Sequence, residues 1–190
     1  MRLFRNDTER QIAEDIRKGS HTAMKELYDS WSGYLFALCR RYVPDREAAE
    51  DLLQDSFVKI FSSIDSFTYK GPGSLKAWMS RITVNEALQY LRKRKHTDFI
   101  EYKDYLPDQA DDEEPDVGTL PPSEIQRMIG ELPDGYRTIF NLFVFEEKSH
   151  KEIAALLGIT ESTSASQFHR ARKILAKKIK DYETGLDRNT

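Results

Sequence analysis

Three groups of side chains in this sequence have types and spacings suited to recognising a partner. The first lies between residues 67 and 95. It opens with Phe67-Thr-Tyr-Lys-Gly-Pro-Gly73, continues through Trp78, Arg81 and Asn85, and closes on the run Arg92-Lys-Arg-Lys95. Aromatic rings stack on unpaired bases, an asparagine amide both accepts and donates at a base edge, and clustered cations hold phosphates. That is the combination needed to hold single-stranded DNA, with Tyr69, Lys70, Arg81, Asn85, Arg92 and Lys93 as the residues concerned. Tyr69, in a turn, is the stacking candidate, whereas Trp78 reads as core.

The second group is Ser149-His-Lys-Glu-Ile-Ala-Ala-Leu-Leu-Gly-Ile-Thr-Glu-Ser-Thr-Ser-Ala-Ser-Gln-Phe-His-Arg-Ala-Arg-Lys-Ile-Leu175. Ser149 with Glu152 three residues later is a capping box. Ile153, Ala154 and Leu157 form an inner face, Gly158 supplies a tight turn, and Thr160 caps a second helix. That helix offers short polar groups first and cations later, which suits a major groove flanked by phosphates. Thr163, Ser166, Gln167, Arg170, Arg172 and Lys173 are its candidate DNA contacts. A plain helical hairpin with a basic, solvated face is the competing reading. An apolar residue is expected at Ser164 to seat the second helix.

The third group sits on one predicted helix. Asp51, Gln54, Asp55 and Val58 share a face at spacings of three and four, an acidic and amide stripe with an exposed valine. It reads as a docking surface or as an ordinary solvated face.

The elements that must carry these groups are all helical. Ala49, Leu53, Phe57 and Ile60 recur at helical spacing, with acids at the helix start. Leu75, Trp78, Met79 and Ile82 form a second stripe. Val84, Ala87, Leu88 and Leu91 repeat it about 180° around the helix, which predicts burial on opposite sides along its length, between neighbours in a bundle. Gly71-Pro72-Gly73 marks the turn before it, with Ser74 as predicted N-cap. Residues 106–122 are acidic, carry four prolines and have no apolar period, so a flexible linker is expected. The predicted architecture is all-α: an N-terminal helical bundle over 1–97, a linker over 98–121, and a C-terminal helix-turn-helix domain over 122–182.

Composition narrows the functional classes. The chain has 190 residues, 39% of them hydrophobic, and a net charge of −3. That charge divides unevenly: 17 Lys and Arg against 14 Asp and Glu over residues 1–100, one against eight over 101–120, and 11 against 10 over 121–190. An acidic belt thus separates two mildly basic halves. No apolar run is long enough to cross a membrane, and the charged N-terminus is unlike a secretory signal. The lone cysteine, Cys39, reads as a small core residue in a reducing, cytoplasmic setting. His21, His96, His150 and His169 are scattered. No phosphate loop, nucleophile elbow or metal-ligand cluster is present, so neither an enzyme nor a cofactor is expected.

Together these segments resemble the sigma-70 family, specifically its extracytoplasmic-function (ECF) group. Ala23–Tyr28 and Glu50–Phe61 look like the first part of region 2. Phe67–Lys95, with Trp78, Ile82 and Asn85, looks like the remainder. Leu132–Phe140 followed by the helix-turn-helix looks like region 4. The resemblance implies that Asp51–Phe61 docks on the clamp helices of the largest subunit of core RNA polymerase. It implies that Tyr69–Asn85 captures the melted minus-ten element, and that Glu161–Lys173 reads the minus-thirty-five element of promoter DNA. Ser164 stands where the family commonly has valine. An anti-sigma factor as a further partner, and a monomer when free or within holoenzyme, are expected on the same ground. A conventional helix-turn-helix repressor would explain residues 149–175 and leave the other two groups without a purpose. A protein that only captures another transcription factor would direct no promoter-specific transcription.

Overall fold

The structure, a computed structural model, describes residues 8–94 and 120–187. Every regular element among them is helical, and the chain divides into two compact units at Arg94/Lys95. The first unit contains α1 (Thr8–Arg17), α2 (His21–Tyr42), α3 (Arg46–Ser62), a single 3-10 turn (Ile64–Ser66) and α4 (Ser74–Arg94). The second contains α5 (Pro122–Gly130), α6 (Asp134–Val144), α7 (His150–Leu157) and α8 (Glu161–Asp187).

Local chemistry sets the helix starts in the first unit. The Ser20 hydroxyl accepts from the Ala23 amide at 3.2 Å, and the Asp45 carboxylate accepts from Ala48 at 2.9 Å. Each takes up an amide that the helix itself cannot satisfy. The apolar stripes do the rest. Ala49, Leu53, Phe57 and Ile60 of α3 are buried, and α2, α3 and α4 pack on one another. On α4, Leu75, Trp78 and Met79 are buried from one side, and Val84, Ala87, Leu88 and Leu91 from the other. The predicted half-turn shift between the two stripes is therefore real, and α4 is flanked by both α2 and α3.

Cys39 lies fully enclosed in this core beside Ser56. Burial pushes its thiol up to about 12 from an ordinary 9.0, against the opposing pull of a backbone hydrogen bond and the Ser56 hydroxyl. Between those values the unfolded thiol ionises while the folded one stays neutral. Its contribution to stability is thus complete below pH 9 and lost as pH rises toward 12. Only the thiolate is nucleophilic. Iodoacetamide at pH 8 should therefore leave Cys39 unmodified in the native chain and modify it once denaturant is added. Fast labelling of the native protein, followed by mass spectrometry, would contradict this enclosure.

The second unit closes around Leu120, Met128, Ile129, Leu132, Ala171, Leu175 and Ile179, with Phe140 and Tyr136 packed against them. Leu120, expected at the end of the linker, thus belongs to this core. The rest of that predicted linker, 98–119, lies outside the described residues. A buried arginine holds the α5–α6 corner. The Arg137 guanidinium donates to the carbonyls of Gly130 (3.2 Å) and Leu132 (2.6 Å) and to Asp134 Oδ1 (2.6 Å). No helix among the described residues is long and apolar enough to cross a membrane, and no cluster there could hold a metal ion.

Candidate functional site

On α3 the four residues of the acidic stripe come together. Asp51, Gln54, Asp55 and Val58 are all exposed, and they span about 100° of the helix surface. Val58 is 68% exposed, an apolar side chain held in water on a face otherwise made of carboxylates and an amide. Tyr28 of α2, itself exposed, packs its ring 4.6 Å from that of Phe57.

The loop between the 3-10 turn and α4 is held at both ends by apolar anchors. Phe67 is buried with its ring 5.4 Å from Trp78, and Leu75 is buried at the other end. Trp78 is therefore core, as read from the sequence. Between the anchors, Tyr69 is half-buried and Lys70 exposed. Gly71 and Gly73 sit at φ +122° and +82° with open space around them. Glycine is needed there for its backbone freedom and not for room. On α4, Arg81, Asn85, Arg92 and Lys93 are exposed, the first three within about 40° of one another around the axis. Lys95 lies outside the described residues.

The cap of α4 differs from expectation. Ser74 is the first helical residue, and its hydroxyl turns back into the loop, donating to Gly71 O at 2.7 Å and accepting from Lys70 N at 3.3 Å. The amides at the helix start go instead to Glu9 of α1. Its carboxylate accepts from Gly73 N at 3.1 and 3.2 Å and from Leu75 N at 3.2 Å. A carboxylate at that end also complements the helix dipole. Arg17, at the far end of α1, donates to the carbonyls of Ile64 (3.2 Å) and Phe67. Neither Glu9 nor Arg17 was among the residues expected from the sequence.

In the second unit α7, Gly158 and α8 form the helix-turn-helix. The Ser149–Glu152 capping box is present in both directions, and Gly158 adopts the left-handed conformation at φ 70°. Thr160 accepts from the Thr163 amide at 3.0 Å and so caps α8. Ser164 is fully buried, and its hydroxyl lies 3.0 Å from Nδ1 of His150. That imidazole stacks on Phe143 at 4.6 Å and tilts against Phe168 at 5.7 Å. The hydroxyl that replaces the expected apolar group thus has a half-buried polar partner, which removes the cost of an unsatisfied donor beneath the helix.

One expected DNA contact is corrected. Gln167 is only 5% exposed. It continues the inward series Ser164, Gln167, Ala171, Leu175, spaced by three and four, all of them buried. A side chain on that face points away from any groove. The outward face of α8 carries Ser162, Ala165, Ser166, His169 and Arg172, all exposed, with Thr163, Arg170 and Lys173 half-buried at its flanks. His169, not among the expected contacts, stands one turn after Ser166 on this face.

Comparison with known proteins agrees with this arrangement. Residues 27–97 match the family model of Sigma-70 region 2, and residues 123–175 match that of Sigma-70, region 4. The chain is 28% identical over 179 residues to the ECF RNA polymerase sigma factor SigW of Bacillus subtilis, covering 88% of this chain and 95% of that protein. It is 29% identical over 187 residues to the ECF RNA polymerase sigma-E factor of Haemophilus influenzae, covering 90% and 95%. Among solved structures, the sigma factor RpoE of Bartonella quintana, crystallised with the anti-sigma factor NepR, is similar at 25% identity and a TM-score of 0.50, covering 82% of this chain and 96% of that one. With the two sigma-70 regions falling one in each compact unit, and relatives matched along nearly their whole length, the chain belongs to the sigma-70 family, in its extracytoplasmic-function group.

Proposed function

We propose that this chain binds core RNA polymerase and directs promoter-specific transcription initiation. The observation that carries the reading is the pairing of sigma-70 regions 2 and 4 in two separately packed helical units. In this reading the first unit docks on polymerase through Asp51, Gln54, Asp55 and Val58. It captures the melted minus-ten element with Tyr69, Lys70, Arg81, Asn85, Arg92 and Lys93. The second unit reads the minus-thirty-five element with the outward face of α8. Ser166 and His169 face the bases, and Thr163, Arg170, Arg172 and Lys173 meet phosphate. The chain supplies binding and strand capture, and the polymerase supplies the chemistry, so the protein itself is not an enzyme. It acts in the cytoplasm, as a monomer when free or within holoenzyme. The RpoE–NepR structure supports a further partner of the same kind, an anti-sigma factor.

The direct experiment combines the protein with core polymerase and genomic DNA and maps the transcription start sites. New starts that share upstream sequence are expected, and starts indistinguishable from those of core polymerase alone would refute the reading. The upstream residues have a separate signature. Log affinity falls with log salt by ~0.9 for every phosphate that a protein neutralises. Arg172→Ala should therefore weaken binding to all sequences about equally and make that slope shallower by about one. Gln167→Ala, by contrast, should leave the selected upstream sequence unchanged, because Gln167 is enclosed.

A further inference from the structure

We propose that α1 is a positioning element for promoter melting: Glu9 and Arg17 hold the loop over residues 67–74 in the shape that receives an extruded base. This inference rests on the reading of that loop as the base-capture element. Glu9 is 8% exposed and commits its carboxylate to the amides of Gly73 and Leu75, at the loop's exit. Arg17 commits its guanidinium to the carbonyls of Ile64 and Phe67, at the loop's entry. The loop's own closure lies in its second half, where the Ser74 amide donates to Gly71 O at 3.1 Å. Its two glycines stand in the left-handed region, and the hydrogen bonds of the Ser74 hydroxyl close only the turn from Lys70 onward. A base-stacking ring is useful only if its backbone is already set, since ordering it on capture would subtract from the stacking energy. Two charged groups on one rigid helix, one gripping donors and one gripping acceptors, set both ends together. Neither needs to touch DNA.

The test uses full-length protein in holoenzyme with Glu9→Gln, Arg17→Lys, Tyr69→Ala and the double variant Glu9→Gln/Tyr69→Ala. Glu9→Gln keeps the shape but removes the charge and puts an NH2 donor where one carboxylate oxygen accepted from a backbone amide. Core-polymerase affinity and helicity by circular dichroism should match the wild type. Open-complex formation, followed by permanganate reactivity of minus-ten thymines, should fall about tenfold for Glu9→Gln and less for Arg17→Lys, which retains the charge but loses the fork. The double variant should be no slower than Tyr69→Ala, because residues acting as one unit are not additive. Normal melting by both Glu9→Gln and Arg17→Lys would overturn the inference, as would a double variant whose defect is the product of the two single defects. Should Glu9→Gln lose helicity, Arg17→Lys alone decides. Normal melting by Tyr69→Ala would instead overturn the base-capture reading of the loop, whatever α1 does.

Discussion

Converting Asp51 and Asp55 together to lysine should weaken binding to core RNA polymerase by about a hundredfold or more, while circular dichroism stays that of the wild type. The two carboxylates lie one turn apart on α3, exposed, with Gln54 between them and Val58 a turn further on. Placing like charge against like charge in an interface costs several kcal/mol, and ~2.8 kcal/mol corresponds to a hundredfold in affinity. Nothing in the first unit's core depends on these side chains. The inward face of α3 is made by Ala49, Leu52, Leu53, Ser56, Phe57 and Ile60. A fold defect is therefore not the expected route to weaker binding. Val58→Ala should have a smaller effect in the same direction, since a small apolar surface is removed and no repulsion is added. Unchanged affinity for the double charge reversal, measured by fluorescence anisotropy with core enzyme, would remove α3 from the docking surface.

Tyr69→Ala should slow open-complex formation ten- to a hundredfold, with little effect on the initial closed complex. Bases in duplex DNA are stacked and paired, so one must leave the stack before a side chain can hold it. Aromatic stacking is worth ~1–3 kcal/mol per base, which sets the size of the expected loss. Asn85, exposed on α4, should read the edge of a captured base, and Asn85→Ala should relax the preference at one minus-ten position. Arg92 and Lys93, exposed further along the same helix, should supply the phosphate-binding cations. Permanganate footprinting on duplex promoters, beside transcription from pre-melted templates, separates melting from later steps. If both variants melt promoters at the wild-type rate, the loop and α4 have only a structural part, and capture must occur elsewhere on the first unit.

Most of the framework is legible in the sequence because it rests on short-range periodicity. The α3 stripe, the two offset stripes of α4 and the Ser149–Glu152 box all involve residues within a few turns of one another. What the sequence hides depends on packing and on side-chain partners that no periodicity marks, some near in the chain and some far. Ser74 has the right residue type for an N-cap, yet a carboxylate 64 to 66 residues earlier takes the amides at that helix start. Gln167 is polar among polar neighbours, and only the packing of α8 on α6 and α7 shows that it faces inward. Ser164 reads as a flaw in the seating of that helix, and its partner, His150, stands 14 residues away. Arg137 has a pattern like any surface arginine. Its burial follows from the carbonyls left open at the α5–α6 corner.

The ties from α1 also bear on when the loop acquires its shape during synthesis. Glu9 and Arg17 leave the ribosome long before the residues they grip, 47 to 66 positions downstream. At ~5–20 residues per second, several seconds pass in which α1 has no loop to hold. Such distant contacts form late, because the intervening chain must first be closed. On the proposed reading, Tyr69 is thus presented only after α1 through the start of α4 have assembled, and a nascent or half-folded chain should offer no finished surface to single-stranded DNA. Strand capture, if it uses this loop, would then report the completeness of the first unit.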